Sequence, residues 1–202
     1  MAGKTRLEGK NIEIALKMLH TVTTELEKTK VEYWLEGGTL LGVIRENRLL
    51  PWDNDMDISM NVTYRWKLIL VTIKLILKGY RISTRFYNRD MGPFKKGELR
   101  MVKVRNFEKL FKKGDVMLDI FLKRKVNKEY YWTVGIKSPV LKSSPAEFYD
   151  KLTKVKFDKK EYLIPQDFEG YLSYRYGNWK KTVKQWDFKK DDNAIVQTKE
   201  HK

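Results

Sequence analysis

The chain contains no cysteine and only two histidines, His20 and His201. The first absence excludes a disulfide framework, a thiolate zinc site, an Fe–S cluster and a cysteine nucleophile. The second leaves too few imidazoles for a histidine-based triad or a histidine-rich metal site. No repeat, low-complexity tract or Ser/Gly linker is present. Long apolar runs are missing too. The most apolar stretch, Trp66 to Leu77, is a dozen residues long and includes Lys67 and Lys74. A bilayer span needs roughly 20 apolar residues, so this stretch is expected to be a buried or half-buried core helix, with an interfacial membrane helix as the alternative. The opening residues, Met1-Ala2-Gly3-Lys4-Thr5-Arg6, lead into no apolar segment of a signal peptide, and a cytoplasmic location is expected.

What is present is a soluble, globular composition, 42% apolar and 34% charged over 202 residues. Such a length can bury a substantial core. The charge is lopsided: 42 Lys and Arg against 26 Asp and Glu, a formal +16. An excess of this size points to an anionic partner such as nucleic acid, nucleotide, acidic glycan or a membrane surface. It is concentrated in residues 59–128, which carry 19 basic and 5 acidic groups. Short basic runs such as Lys123-Arg124-Lys125 read as solvated faces. With neither thiol nor imidazole to spare, any chemistry falls to carboxylates.

Apolar residues at spacings of three and four predict a helix over 12–29. A short strand follows at 31–35, and Thr39 is positioned to cap a helix over 40–46. Met56-Asp57-Ile58-Ser59-Met60 alternates as a strand. A helix is expected at about 62–78, then strands at 80–87, 99–105 and 116–122. The last third reads as a helix near 145–154, a hairpin over 155–164 and a helix over 167–176. The segment from Lys189 onward reads as a polar, frayed tail. This order of elements indicates an α+β domain with a mixed sheet.

The sharpest feature is Trp52-Asp53-Asn54-Asp55-Met56-Asp57-Ile58, where a loop enters a strand. Alternate residues of a strand share a face, so Asp55 and Asp57 project together. Two carboxylates this close repel unless a cation lies between them, and hard oxygen ligands suit Mg²⁺ or Mn²⁺. An EF-hand is excluded, because its required Gly and Glu positions hold Ile58 and Tyr64. A solvated acidic turn and the Asp-x-Asp of a sugar-nucleotide glycosyltransferase remain alternatives. Upstream, Gly37-Gly38-Thr39 at a strand–helix junction can present backbone amides to a phosphate. Downstream, Asp119 interrupts the apolar run Val116–Leu122 and must be ion-paired or metal-bound.

Glu36-Gly37-Gly38-Thr39-Leu40-Leu41-Gly42-Val43-Ile44-Arg45 and Leu50-Pro51-Trp52-Asp53-Asn54-Asp55-Met56-Asp57-Ile58 resemble the LicD/fukutin family of the polymerase β-like nucleotidyltransferase superfamily. Leu163-Ile164-Pro165 and Tyr171-Leu172 through Tyr176-Gly177-Asn178-Trp179 resemble the family's C-terminal stretch. The resemblance implies one nucleotidyltransferase-fold domain over 1–188, with 189–202 as a flexible tail. It implies a transferase that moves phosphocholine, ribitol phosphate or a similar group from a CDP-activated donor to a glycan or lipid-linked saccharide hydroxyl, releasing CMP. Carried over by position, Gly37, Gly38, Thr39 and Arg45 would bind donor phosphate. Asp55, Asp57 and Asp119 would hold Mg²⁺ or Mn²⁺ and carry catalysis, with Asp53 a further ligand and Asp119 also orienting or deprotonating the acceptor. Peripheral contact with the inner face of the membrane accompanies a lipid-linked acceptor. Asn54 departs from the family's run of aspartates, and the loop Glu46-Asn47-Arg48-Leu49 lacks its small residues.

Two rivals remain. One is a nucleotidyltransferase moving NMP from an NTP onto RNA, protein or a small molecule. The other is a nucleic-acid-binding module using 59–128, where Phe86, Tyr87, Phe94, Phe107 and Phe111 interleave with cations. No RNA-binding motif accompanies those aromatics, which makes nucleic acid the weaker partner.

Overall fold

The structure is a computed structural model that describes residues 6–108, 112–135, 138–183 and 186–196. Its elements run α1 (Lys10–Lys28), β1 (Tyr33–Leu35), α2 (Gly37–Glu46), β2 (Met56–Asn61), a 3₁₀ turn (Val62–Tyr64), α3 (Lys67–Leu77), β3 (Arg81–Phe86), β4 (Leu99–Phe107) and β5 (Lys113–Val126). They continue with β6 (Glu129–Val134), β7 (Val140–Pro145), α4 (Glu147–Asp150), β8 (Leu152–Phe157), β9 (Lys160–Pro165) and α5 (Phe168–Tyr176). The expected α+β class with a mixed sheet is what forms.

The main sheet has the order β1-β2-β5-β4-β3, with β6 on the far half of β5 and β7 beyond it. β2 and β5 are parallel, while β1–β2, β3–β4 and β4–β5 are antiparallel. Alternation then sorts the residues into two faces. Met56, Ile58, Met60, Leu118, Ile120, Leu122, Val102 and Val104 are buried on one face, within the cluster that includes Ala15, Met18, Leu19, Val22 and Leu26 of α1. That leaves Asp57, Asp119, Lys103 and their neighbours on the other.

α2 begins with Gly37 at φ 55°, three residues earlier than expected, and Thr39 does not cap it. Thr39 is buried, and its hydroxyl accepts from the backbone N–H of Asp57 at 2.8 Å. The helix expected near 145–154 is a single turn, because Pro145 belongs to β7 and Leu152–Phe157 pairs with β9. β6 and β7 went unanticipated. The α3 stretch is helical but far less buried than a core helix: only Leu68, Val71 and Leu75 are buried.

The expected tail behaves differently in its described part. Asp192 and Ala194 are buried, and Ile195 bridges Lys142 of β7. Burial of an acid this deep requires partners, and Asp192 takes both Arg175 and Lys142. Residues 197–202 of that tail, with His201, and Phe111 of the aromatic series lie outside the described residues. Among the described residues, no helix is long and apolar enough to cross a membrane.

Candidate active site

Register brings the carboxylates together. Asp57 and Asp119 are direct partners across the parallel β2–β5 pair, and Asp119 faces Lys103 across β5–β4. Neighbouring strands lie about 4.8 Å apart, so these three side chains form a row on one face. Asp55, two residues before Asp57, extends the row. One carboxylate oxygen from each of Asp55, Asp57 and Asp119 lies within 4.8 Å of the others.

The electrostatics are those of a cluster short of positive charge. Burial, then the Asp119 and Asp53 charges, pushes Asp55 up to about 7. Burial, followed by Asp55 and Asp119, raises Asp57 well above the usual carboxylate range. Burial raises Asp119 even though Lys103 pairs with it. Asp53 is pushed up to about 6 by burial. Asp119 uses Oδ2 on Lys103, and its buried Oδ1 has no hydrogen-bond partner among the described residues. Three carboxylates, one with an orphaned oxygen, fit a hard divalent cation with oxygen preference.

Facing this row is the start of α2. No side chain caps that end, so its first amides remain as donors, aided by the helix dipole. The two glycines lie close against the carboxylates. A Cβ on Gly37 would lie 2.9 Å from Asp57 Oδ2, and one on Gly38 only 2.1 Å from Asp53 Oδ2. Asp53 Oδ1 accepts from the Asn54 N–H at 3.0 Å, which folds the loop beneath the glycines.

A cleft of about 820 Å³ contains Gly37, Gly38, Arg45, Asp53, Asn54, Asp55, Asp57 and Asp119. That size lies within the roughly 300–1,000 Å³ of ligand clefts. Thr39 lies beneath it and acts on β2 through Asp57 N. Arg45 reaches the cleft already engaged. Its Nε and one terminal nitrogen bind Glu46 Oε1 at 3.1 and 2.6 Å, and the other donates to the Trp179 carbonyl. Glu46 is shared with Arg48, which binds Oε2 at 2.9 and 2.7 Å, so one carboxylate answers two guanidinium groups.

Several site residues escaped the sequence reading. Lys103, within the strand expected over 99–105, is buried against Asp119. Lys123, read as part of a solvated basic run, has no exposed surface. It binds Glu36 at 2.7 Å, and its ammonium lies 3.7 Å from the centre of the Trp132 ring. Arg175 binds Glu36 at 2.8 Å and Asp192 at 2.6 Å, and Asp192 also takes Lys142. Burial favours the neutral acid at Glu36, but Lys123 and Arg175 outweigh it and hold the carboxyl below its usual range. This buried network ties the residue before the glycines to α5 and to the C-terminal segment. The opposite wall of the cleft is aromatic, with Trp132, Tyr176, Trp179, Trp186 and Phe188. The quoted tyrosines and tryptophan of 171–179 were its available signal.

Residues 30–167 match the model of the LicD/FKTN/FKRP nucleotidyltransferase domain. The chain belongs to the LicD/FKTN/FKRP family. Among its relatives is the Rickettsia prowazekii protein RP689, 28% identical over 184 residues, covering 88% of this chain and 59% of that one. Human ribitol-5-phosphate transferase FKTN is 25% identical over 179 residues, covering 87% of this chain and 35% of FKTN. The Haemophilus influenzae lipopolysaccharide cholinephosphotransferase LicD is 31% identical over 71 residues, 35% of this chain and 27% of that protein. The chain thus spans between about a quarter and three fifths of the length of these relatives.

Proposed function

We propose that this LicD-family domain is a divalent-metal-dependent phosphotransferase that moves a phospho-alcohol, such as ribitol phosphate or phosphocholine, from a CDP-activated donor to a hydroxyl of a glycan or lipid-linked saccharide. The observation that carries the reading is the opposition, across one cleft, of the Asp55–Asp57–Asp119 cluster and the uncapped α2 amides at Gly37 and Gly38. The relatives FKTN and LicD are named for transfer of these two groups.

Mg²⁺ or Mn²⁺ held by Asp55, Asp57 and Asp119, with Asp53 in reserve, would supply charge neutralisation at the donor pyrophosphate and acidify a bound hydroxyl. The chain's own residues do the rest. The Gly37 and Gly38 amides bind donor phosphate, whose approach depends on the missing Cβ atoms. Thr39 fixes β2, and hence Asp57, by accepting from its backbone. Lys103 holds one oxygen of Asp119 and leaves the other to the metal, so that Asp119 positions the acceptor hydroxyl, whose proton passes to solvent. The acceptor oxygen–phosphorus bond forms, the pyrophosphate P–O bond breaks, and CMP leaves. Arg45, braced by Glu46 and the Trp179 carbonyl, shapes the cleft at the donor end. The aromatic wall offers π faces for the cytosine base.

A thermal-shift panel of CDP-ribitol, CDP-choline, CDP-glycerol, CTP and ATP, with Mg²⁺ or Mn²⁺, tests the assignment. A ligand binding only the folded state raises the melting temperature. A CDP-alcohol should give the largest metal-dependent rise and release CMP in the presence of an acceptor. A response confined to NTPs, with pyrophosphate as product, would instead identify an NMP transferase.

A further inference from the structure

We propose that the outward face of α3 lies in the surface of a membrane containing anionic lipid, with the helix parallel to the bilayer plane. Leu68, Val71 and Leu75 point into the core at spacings of three and four. Trp66, Ile69, Leu70, Ile73, Ile76 and Leu77 occupy the opposite arc and are exposed, from 48% at Ile73 to 82% at Leu77. Singly exposed apolar residues are ordinary, but six on one helix face form a continuous patch, which marks an interaction site.

Charge selects the occupant. From Ile58 to Arg89 the sequence has seven cations (Arg65, Lys67, Lys74, Lys78, Arg81, Arg85 and Arg89) and no acidic residue. At 100° per residue, Lys67, Lys74 and Lys78 fall in one row beside the apolar arc. Lys74 and Lys78 lie 3.9 and 3.6 Å from the buried Glu25, which also has Lys28 at 3.6 Å, so three ammonium groups share one carboxylate. Lys67 donates to the Lys30 carbonyl at 3.0 Å and lies 5.3 Å from the centre of the Tyr64 ring, both of them neutral groups. The Arg65 guanidinium lies over the Trp66 ring at 5.1 Å. The rim of the patch therefore keeps a net positive charge.

A second copy of the chain, docked face to face, would bring two such lysine rows together, and protein interfaces are depleted in lysine. Anionic headgroups provide the opposite charge. Lysine stems can lie on the apolar surface while their ammonium groups reach phosphate, and an indole at the helix start suits the headgroup level. At 11 residues, α3 is about 16 Å long, too short to span and long enough to lie in the plane. This proposal is independent of the transferase assignment.

The test is flotation of the full chain with vesicles of phosphatidylcholine alone and of phosphatidylcholine with 30% phosphatidylglycerol, at about 0.15 M salt. The comparison variant is Leu70→Ser/Leu77→Ser, which leaves the formal +16 unchanged. Trp66→Ser serves as a second variant, and thermal melts check that each folds. Wild type should partition at least tenfold more strongly onto anionic vesicles, and each variant should lose most of that binding. Equal binding by wild type and variants would mean adsorption by net charge alone and would overturn the proposal. So would no binding by wild type, or a dimer seen by light scattering that the serine substitutions abolish.

Discussion

Replacing Asp57 by Asn should make the metal-free protein more stable. Oxygens of Asp55, Asp57 and Asp119 lie within 4.8 Å of one another, and Lys103 offsets the charge of Asp119. The uncompensated repulsion is thus chiefly between Asp57 and Asp55. Two unit charges at that separation repel by about 3 kcal/mol at an effective dielectric near 20. Solvent on the open side of the cleft and proton uptake both relieve part of this, leaving roughly 1–3 kcal/mol to recover. For a chain of this size that corresponds to a melting temperature roughly 2–10 °C above wild type in EDTA at pH 8. Excess Mg²⁺ should reverse the order. At a concentration 100 times its Kd, a metal that binds only the folded state adds about 2.7 kcal/mol, and Asp57→Asn should lose most of that gain. Calorimetry of both proteins, with and without metal, reads all four values. A variant that melts below wild type in EDTA, or that gains as much from Mg²⁺ as wild type does, would refute the reasoning.

The same cluster sets a pH dependence. Asp53 and Asp55 are raised to about 6 and about 7, so between about pH 4 and pH 7 the folded state holds protons that the unfolded chain has released. The cluster's contribution to stability therefore falls as pH rises through that window, and the Asp57→Asn advantage in EDTA should be larger at pH 8 than at pH 5.5. Metal must displace those protons, so its affinity should strengthen with pH up to about 7, by about tenfold per unit for each proton released, as titration calorimetry would measure. Gly38→Ala places a methyl 2.1 Å from Asp53 Oδ2. Because that carboxylate can swing aside, stability should fall by only about 1–2 kcal/mol, while binding of CDP in the presence of Mg²⁺ should drop at least tenfold. Lys123→Met removes one of two cations from the buried Glu36. The cost should be about 3 kcal/mol, read as a lower denaturation midpoint with an unchanged slope.

The two faces of the central sheet were legible at β2 because the alternation in 56–60 is local and strict, while 116–122 is apolar throughout except for Asp119. The three aspartates were legible for the same reason: an acid on an apolar strand stands out. Lys103 and Lys123 were not, since a lysine alternating with valines, or lying in a basic run, looks the same in sequence whether water or Asp119 and Glu36 receive it. Thr39 was placed on the correct turn and given the wrong partner, because its hydrogen bond crosses to β2 rather than to its own helix. The helix expected near 145–154 failed where Pro145 closes one strand and Leu152 opens the next. The docked segment around Asp192 is polar in sequence and reads as a tail; the buried Arg175 and Lys142, and backbone pairing to β7, hold it in place.

Crystals soaked with Mn²⁺ and CDP give the most direct test of the active-site assignment. Anomalous density should appear within coordination distance of Asp55, Asp57 and Asp119, with the diphosphate of CDP against the Gly37–Gly38 amides. Manganese bound elsewhere, or a nucleotide seated away from these residues, would contradict it.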